Sequence, residues 1–259
     1  MTRVVVVTGA SQGIGAAIAT VLIAYGYAVV GVGRDSVKLK TLENAHTGFV
    51  AVVGDIRNSA TLDEAVEAAE GLGSLVGWVN NAGVTFTEPL HGASDESIER
   101  VLDTNLLAVI RGSQRALSSF LRSATPGSIV NISSIHGQAA FPGWSVYDAA
   151  KGGMDALTRS ICAEYGHLGI RCNAVAPGAV STEILDRLVG DSADADEFLE
   201  EVRALSPMRL IVTPEQVGES VAWLISDSAG AINGQILAVD GGALSRCFGY
   251  PPDPSIRFS

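Results

Sequence analysis

Residues 3–15 read RVVVVTGASQGIG, and this stretch carries the strongest indication of the fold. The β-branched run at 3–8 predicts a short buried strand, and the apolar periodicity of residues 13–25 predicts a helix after it. The glycines between them are spaced G-x-x-x-G-x-G, which differs from the dinucleotide fingerprint G-x-G-x-x-G. They still permit a tight turn in which backbone N–H groups approach an anion at the helix N-terminus. We therefore interpret the turn as a phosphate-binding site.

Short apolar runs and longer helical patterns alternate along the rest of the chain. Strands are predicted at residues 3–8, 28–32, 49–53, 76–80, 128–133, 171–175 and 235–239. Helical periodicity lies between them at 13–25, 59–70, 94–122 and 145–166. Such alternation is typical of a parallel sheet covered by helices on both faces. We predict an α/β fold with a Rossmann-like, doubly wound, seven-stranded parallel sheet in three α/β/α layers.

Length and composition limit the classes of protein that fit. The 259 residues suit a single domain, and 47% hydrophobic residues supply a large core. The net charge of −11 argues against nucleic acid or an anionic membrane as a partner, since both require basic patches. Cys162, Cys172 and Cys247 lack metal-ligand spacing, and no signal peptide or membrane-spanning run is found. We expect a cytoplasmic protein with free thiols and no metal.

The second predicted strand is followed by Gly33, Arg34 and Asp35, at the position that meets an adenosine ribose in such folds. An arginine there pairs with the 2′-phosphate of NADP, whereas an acidic residue accepts from the 2′-hydroxyl of NAD. Arg34 therefore favours NADP(H). NAD(H) stays possible, because Asp35 could pair with Arg34 or accept from a ribose. Asp55, after the third strand, is a candidate partner of the adenine amino group, or alternatively a helix N-cap.

Tyr147 and Lys151 lie four residues apart in Y-D-A-A-K, with Ser134 upstream. Residues at i and i+4 share one face of a helix, so a phenol and an ammonium would point into the same space. A nearby cation favours the phenolate and lowers its pKa from about 10. A tyrosine tuned in this way can exchange a proton with an alcohol or a carbonyl. Without further context, such a pair is more often an exposed amphipathic pair, because a short motif is only a hypothesis until its context agrees.

The context comes from motifs that resemble the short-chain dehydrogenases/reductases over nearly the whole chain. They are, in order, T-G-x-x-x-G-I-G at 8–15, N-N-A-G at 80–83, Asn105, Ser134, Tyr147 with Lys151, P-G at 177–178 and V-D-G-G at 239–242. Each motif alone is a modest signal. In this order and spacing they identify the chain as similar to that family, and they imply an NAD(P)-dependent oxidoreductase that interconverts a secondary alcohol and a ketone.

The resemblance also implies roles for individual residues. Tyr147 would donate and accept the proton, and Ser134 would hydrogen-bond the substrate oxygen. Lys151 would hold the nicotinamide ribose and lower the pKa of Tyr147, and Asn105 would anchor a water in a proton relay. The residues expected to contact the cofactor are Gly9, Ser11, Gln12, Gly13, Ile14, Gly15, Arg34, Asp55, Ile56, Asn81, Ala82, Gly83, Tyr147, Lys151, Pro177, Gly178, Val180 and Thr182.

Two positions depart from the family pattern. Asp148 stands where a small residue is common, and a carboxylate facing the site would raise the pKa of Tyr147. Since residues i and i+1 diverge on a helix, we expect Asp148 to face elsewhere. Gln12 stands in the glycine turn where many NADP-using members carry a basic residue, so Arg34 is the main support for NADP.

The substrate wall is predicted with less detail. Ser134, His136, Phe141 and Trp144 are the candidate substrate-binding residues, with Gln138, Val84, Phe86 and the 183–210 segment nearby. His136 could instead be a loop histidine turned to solvent. The run around Ser134 is similar to segments of glucose-type sugar dehydrogenases and also fits 3-oxoacyl-carrier-protein reductases. The acidic chain offers no obvious basic rim for an acidic carrier protein, which disfavours the second alternative.

Two segments interrupt the alternation of strands and helices. Residues 181–213 are polar and acidic, and they could form a substrate lid or a solvated surface loop. The tail, residues 243–259, could be disordered or pack on a partner subunit. The resemblance implies a homotetramer.

Two other functions stay open at this stage. One is a non-catalytic dinucleotide-sensing protein on the same fold, and the other is a related reaction such as epimerisation or dehalogenation. The first usually lacks a catalytic residue, and the second alters the glycine turn or the catalytic residues. Asn105, Ser134, Tyr147 and Lys151 are all present here, which favours the oxidoreductase.

Overall fold

The computed structural model of the chain describes residues 1–190, 192 and 194–245. Its centre is one sheet of seven strands, all parallel, in the order β3-β2-β1-β4-β5-β6-β7. The strands are β1 Arg3–Thr8, β2 Ala28–Gly33, β3 Phe49–Val53, β4 Ser74–Asn80, β5 Ser128–Ile132, β6 Arg171–Pro177 and β7 Ile236–Val239. The predicted Rossmann-like sheet is therefore confirmed, with shifts of one or two residues at several strand ends.

Nine α-helices are found in the described part of the chain. They are α1 Gly13–Ala24, α2 Ser36–Ala45, α3 Ser59–Leu72, α4 Asp95–Leu102, α5 Ala108–Ser123, α6 Ser145–Tyr165, α7 Glu183–Gly190, α8 Ala195–Ala204 and α9 Pro214–Ile225. The prediction of one helix over 94–122 was wrong, because a π-helical turn, Asp103–Leu107, separates α4 from α5. Helix α9 was not predicted, although Thr213 and Gln216 form a capping box at its start.

Helices cover both faces of the sheet because the central strands are apolar on both sides. In β1, Val4 and Val6 pack into a core with α3, α5 and α6, while Val5 and Val7 pack into a second core with α1, α2 and α9. All four valines are fully buried, and each contributes roughly 1.5 kcal/mol or more of hydrophobic stabilisation. This alternation produces the predicted three layers.

The strand order fixes where a ligand can bind. The chain moves outward from β1 to β2 and β3, then returns to place β4 on the other side of β1. The connections after β1 and β4 therefore leave in opposite directions, which opens a crevice at the carboxyl ends of these strands. Among the helices of the described residues, none is long and apolar enough to cross a membrane.

Candidate active site

A cavity of about 490 Å³ occupies this crevice and extends from the glycine turn to the Tyr147–Lys151 pair. Every residue predicted to contact the cofactor, from Gly9 to Thr182, lines it. Residues 81–84 line it from the β4 side and residues 132–134 line it from the β5 side. The structure thus brings together side chains that the sequence separates by more than a hundred positions. Within the described residues, no cluster of His, Cys, Asp or Glu could hold a metal ion.

The glycine turn at one end of the cavity has the properties of an anion site. Gly9 and Gly13 have φ values of +67° and +53°, which L-residues with side chains rarely adopt. A Cβ on Gly15 would lie 2.1 Å from the carbonyl oxygen of Gly9, so only glycine fits there. Gln12 takes the N-cap position of α1 without a side-chain hydrogen bond to the helix. The first N–H groups of α1 are therefore not capped by it, and this arrangement fits a diphosphate.

The loop after β4 is tied to this turn by a short hydrogen-bond network. The Thr8 hydroxyl accepts from the backbone N–H of Asn81, at 2.9 Å, and from that of Ala82, at 3.1 Å. The Asn81 side chain donates to the carbonyl oxygen of Thr8 at 2.8 Å. These bonds hold the two sides of the cavity at a fixed separation. Thr8 was part of the quoted motif but was not predicted to have this positioning role.

At the adenosine end, Asp35 is engaged with a helix and not with Arg34. Its carboxylate accepts from the backbone N–H groups of Val37 and Lys38, so it is the N-cap of α2. Lys38, one turn into that helix, donates to the side chain of Gln12. A cation thus reaches the glycine turn from α2, where the sequence had indicated only a neutral glutamine.

Asp55 is not the helix N-cap that the sequence offered as an alternative. Asn58 caps α3 instead. Both Asp55 oxygens accept from the guanidinium of Arg57, with a shortest distance of 2.6 Å. This ion pair holds the pKa of Asp55 below its usual value, and the nearby charge of Arg34 adds to the effect. Arg57 was not singled out in the sequence, yet it lines the cavity.

Asn105 lies in the π-helical turn between α4 and α5 and is fully buried. Its side-chain oxygen accepts from the backbone N–H of Val84, and its amide donates to the carbonyl oxygen of Val84, both at 2.8 Å. Both ends of the carboxamide are therefore bonded to the loop after β4. Single-turn π segments are frequent at functional sites. The predicted role of Asn105, to anchor a water in a proton relay, stays a prediction.

Ser134, Tyr147 and Lys151 meet at the other end of the cavity. Ser134 begins the short 3₁₀ turn after β5, and its hydroxyl accepts from the backbone N–H of His136 at 3.3 Å. Tyr147 and Lys151 lie in the first two turns of α6, and the Lys151 Nζ lies 5.5 Å from the centre of the Tyr147 ring. Lys151 is 4% exposed and donates to the carbonyl oxygen of Ile132 at 2.7 Å. The predicted juxtaposition is thus present.

The electrostatics of the pair differ from the sequence expectation. Burial raises the pKa of Tyr147 to about 12, against a smaller opposing effect of hydrogen bonding by Ser134. Burial also lowers the pKa of Lys151 to about 8, against the opposing charge of Asp155. The sequence predicted a lowered pKa for Tyr147, and this was wrong, because desolvation has the largest effect and Lys151 is not among the groups that shift this pKa.

Asp155 lies one turn beyond Lys151 and is almost fully buried. Both of its oxygens, and the hydroxyl of Ser133, lack a partner with hydrogen-bond geometry among the described residues. Burial raises the pKa of Asp155. The nearby hydroxyl of Ser133 and the positive charges of Arg159 and Lys151 lower it by smaller amounts. No motif or spacing in the sequence singles out this residue.

Of the predicted substrate residues, Ser134 lines the cavity, whereas His136, Phe141 and Trp144 form an aromatic cluster beside Tyr147 that is not part of its lining. The His136 ring stacks on Phe141, with centroids 4.2 Å apart, and it lies 4.9 Å from the ring of Trp144. It contacts the Tyr147 ring edge-on at 5.2 Å. The side chain of His136 is 14% exposed, so the alternative of a histidine turned to solvent was wrong. Substrate binding by these residues stays a prediction.

Asp148 was expected to face away from the site, and this was wrong, because its carboxylate turns to the predicted substrate wall. Its Oδ1 lies 2.6 Å from His136 Nδ1, and its Oδ2 accepts from the backbone N–H of Phe141 at 3.1 Å. Its charge also adds to the raised pKa of Tyr147. The pairing could not be deduced from spacing, because the loop at 138–144 separates the two residues along the chain.

The acidic segment at 181–213 is not an irregular loop, since it contains α7 and α8. Val180 and Val212 form a parallel bridge that closes its two ends. Its beginning borders the cavity, where Thr182 and Glu183 lie against Gly13. A lid function stays a prediction. Of the predicted tail, residues 243–245 form a 3₁₀ turn, and 246–259 with Cys247 lie outside the described residues.

Comparisons with known proteins agree with this geometry. The family profile described as enoyl-(acyl carrier protein) reductase matches residues 9–243. The chain is 38% identical to 3beta-hydroxysteroid dehydrogenase 1 of Eggerthella lenta, over 93% of each chain. It is 32% identical to glucose 1-dehydrogenase 2 of Bacillus subtilis, over 93% of this chain and 94% of the relative. A substituted actinorhodin polyketide ketoreductase solved with NADPH is 31% identical, with a TM-score of 0.88 over 93% of this chain and 97% of that one.

Proposed function

The chain belongs to the short-chain dehydrogenase/reductase family, and from this premise we propose how its site works. As a member, it is an oxidoreductase that interconverts a secondary alcohol and a ketone with NAD(P). We propose that it prefers NADP(H) and that Tyr147 is the general acid and base. The observation that carries the proposal is that Ser134, Tyr147 and Lys151 meet at one end of a cavity. Its other end is the glycine turn, where Gln12 leaves the N-terminus of α1 without a side-chain cap.

In ketone reduction, Tyr147 gives its proton to the substrate oxygen while Ser134 hydrogen-bonds the same oxygen. The bound nicotinamide supplies the hydride, and it accepts one in the reverse direction. A tyrosine whose pKa lies near 12 keeps its proton at neutral pH, which supports the role of acid. In the oxidative direction Tyr147 must instead lose its proton and act as a base. A positive charge beside the phenol stabilises the phenolate and so favours this role.

Lys151 holds the nicotinamide ribose in this proposal. Its ammonium is buried and donates to the carbonyl oxygen of Ile132, which fixes one of its three N–H bonds and leaves two for ribose hydroxyls. With a pKa near 8 it is mostly charged at neutral pH. Asn105 fixes the loop at Val84 that faces these groups. Because its carboxamide is engaged at both ends, we propose that Asn105 organises the proton relay by shaping the backbone around it.

The preference for NADP(H) is supported by the charges at the adenosine end. Asp35 caps α2 through Oδ1, which commits one of its two carboxylate oxygens to the helix. Arg34 and Arg57 both line the cavity, and Arg57 forms an ion pair with Asp55. Lys38 adds a further cation at Gln12. Several cations near one end of the cavity suit a 2′-phosphate better than a 2′-hydroxyl.

The substrate is proposed to be a medium-sized cyclic hydroxyl or keto compound. Phe141 and Trp144 offer apolar area next to Tyr147, and His136 offers a polar group within the same cluster. The names of the relatives, a hydroxysteroid dehydrogenase and a glucose dehydrogenase, support a ring-borne alcohol. A 3-oxoacyl carrier protein remains the less favoured alternative on account of the net charge of −11.

We also propose that the chain acts as a single domain and assembles as a homotetramer in the cytoplasm. All seven strands belong to one sheet, which supports the first point. Exposed apolar side chains on two helices support assembly, namely Ile110 and Leu121 on α5 and Trp223 on α9. Size-exclusion chromatography with light scattering tests it, and a monomer at micromolar concentration would contradict it.

The proposed function is tested by assaying NADPH and NADH side by side against sugars, polyols, steroids, small ketones and 3-oxoacyl thioesters. We expect turnover of a cyclic alcohol or ketone, with a higher kcat/KM for NADP(H). Equal use of both cofactors would contradict the cofactor preference alone. Turnover of the thioesters only would replace the proposed substrate class with the carrier-protein alternative.

A further inference from the structure

The His136–Asp148 pair is the one polar unit of the aromatic cluster beside Tyr147 that the mechanism above does not use. Both side chains are largely buried, with exposed fractions of 14% and 16%. Buried polar groups are normally bonded, and here Asp148 uses both oxygens within the wall, on His136 Nδ1 and on the backbone N–H of Phe141. These two contacts of Asp148 hold the imidazole of His136 and the backbone of Phe141 in a fixed relative orientation.

The pairing also decides which ring nitrogen carries the proton. An ionised carboxylate can only accept hydrogen bonds, so Nδ1 of a neutral His136 must be the donor to Asp148. Burial lowers the pKa of His136, and this effect is larger than the opposing effects of Asp148. The ring is therefore neutral at pH 7, and its Nε2 is a hydrogen-bond acceptor. Among the described residues no donor is bonded to Nε2, and it is not among the fully buried polar atoms without a partner.

We propose that Nε2 of His136 accepts a hydrogen bond from a second hydroxyl of the substrate, and that Asp148 is the positioning residue that keeps it an acceptor. The inference rests on the proposed function and deepens it. The substrate class becomes an uncharged cyclic ketone or alcohol that carries a further hydroxyl, with its ring against Phe141 or Trp144. A substrate with a carboxylate at this position is disfavoured, because the wall there is a neutral imidazole backed by the acidic Asp148.

Matched ketones separate this proposal from a purely structural role. The probes are cyclohexanones with a hydroxyl at carbon 2, 3 or 4, and the methyl ether of each. A hydroxyl donates a hydrogen bond, whereas its ether only accepts. The quantity compared is the ratio of kcat/KM for the hydroxyl compound to that for its ether, measured with NADPH in one protein at a time. A general loss of activity in a variant cancels in this ratio.

We expect a ratio of about 10 or more for at least one ring position in the unsubstituted protein, the effect of one hydrogen bond that the ether cannot make. His136→Phe keeps the stacking on Phe141 but removes both nitrogens, so the ratio falls to about 1. In Asp148→Asn, the amide oxygen stays on the Phe141 N–H and the NH₂ faces Nδ1. The proton then moves to Nε2, which becomes a donor, and the ratio falls to about 1 or below.

Unaltered NADPH affinity and thermal unfolding identify correctly folded variants. Turnover of the ketones with ratios near 1 at all three positions in the unsubstituted protein would overturn this proposal and leave the proposed function intact. A high ratio that survives both substitutions would also overturn it. Failure of the unsubstituted protein to reduce any of the ketones would count against the proposed function and the inference together.

Discussion

Replacing Gly15 with alanine is expected to disrupt the phosphate-binding turn. The added Cβ would lie 2.1 Å from the carbonyl oxygen of Gly9 and 2.5 Å from Asn81 Nδ2. Both contacts are far shorter than ordinary van der Waals distances, and the nearer one is to backbone. The turn would have to move by roughly 1 Å or more, because a well-packed interior cannot absorb such an overlap.

The size of the effect follows from two opposing contributions. Overpacking costs about 1–3 kcal/mol, whereas alanine gains up to about 1 kcal/mol over glycine within a helix. Gly71→Ala is the matched control, since Gly71 is also helical, in α3, and a Cβ there would meet no atom within 4 Å. The control is expected to be neutral or stabilised. Gly15→Ala is expected to be about 1–3 kcal/mol less stable than the control.

The assay is urea unfolding of both variants together with an NADPH titration followed by fluorescence. Because the N–H groups of the turn are displaced by roughly 1 Å, we expect Gly15→Ala to bind NADPH about 10- to 100-fold more weakly than Gly71→Ala. Equal stability and equal NADPH affinity of the two variants would refute the argument that the turn is a close-fitting phosphate cradle.

Three further predictions follow from the charges at the site. Arg34→Ala should weaken NADPH binding by about 10-fold or more and leave NADH binding nearly unchanged, since only NADPH carries the 2′-phosphate; parallel titrations measure this, and an equal loss for both cofactors would contradict it. Glu183→Gln should tighten binding of NADPH and NADH alike by about threefold at low salt, because Glu183 lies beside Gly13 at the turn; no gain at low salt would count against the turn as the diphosphate site. Lys151→Met should have a higher free energy of unfolding than the parent protein at pH 7, and this difference should shrink by about 2 kcal/mol at pH 9.5. The sign follows because the folded-state pKa of Lys151, about 8, lies below its unfolded value, so the cost of burying its charge disappears as pH rises from about 8 towards 10.5. Urea unfolding at both pH values tests it, with exposed Lys40→Met as the control, and an advantage independent of pH would refute it.

The sequence predicted the sheet and the members of the cofactor cavity because both depend on periodic or local signals. The valine run at 4–7 alternates between two cores, and glycine spacing after β1 reports a backbone conformation that other residues avoid. Strand ends in a parallel sheet converge at one edge. Motifs that follow β1, β4, β5 and β6 therefore had to meet, and they do.

What the sequence did not reveal depends on side-chain partners chosen across loops. Asp35 could have faced a ribose or a helix, and only the structure places it on the N–H groups of α2. The His136–Asp148 pair depends on the path of the loop between them. The raised pKa of Tyr147 reflects burial, which spacing along a helix does not report. The π-helical turn at Asn105 interrupts a segment whose apolar periodicity is continuous enough to suggest one helix.

The most direct test of the central claim is single-turnover reduction of a ketone substrate by Tyr147→Phe with NADPH bound. Tyr165→Phe, near the other end of the same helix, is the matched control, since it removes a hydroxyl away from the cavity. We predict that Tyr147→Phe binds NADPH with the affinity of the parent protein but reduces the ketone about 10³-fold more slowly or worse, while Tyr165→Phe retains full activity. Reduction by Tyr147→Phe at the rate of the control would contradict the assignment of Tyr147 as the proton donor.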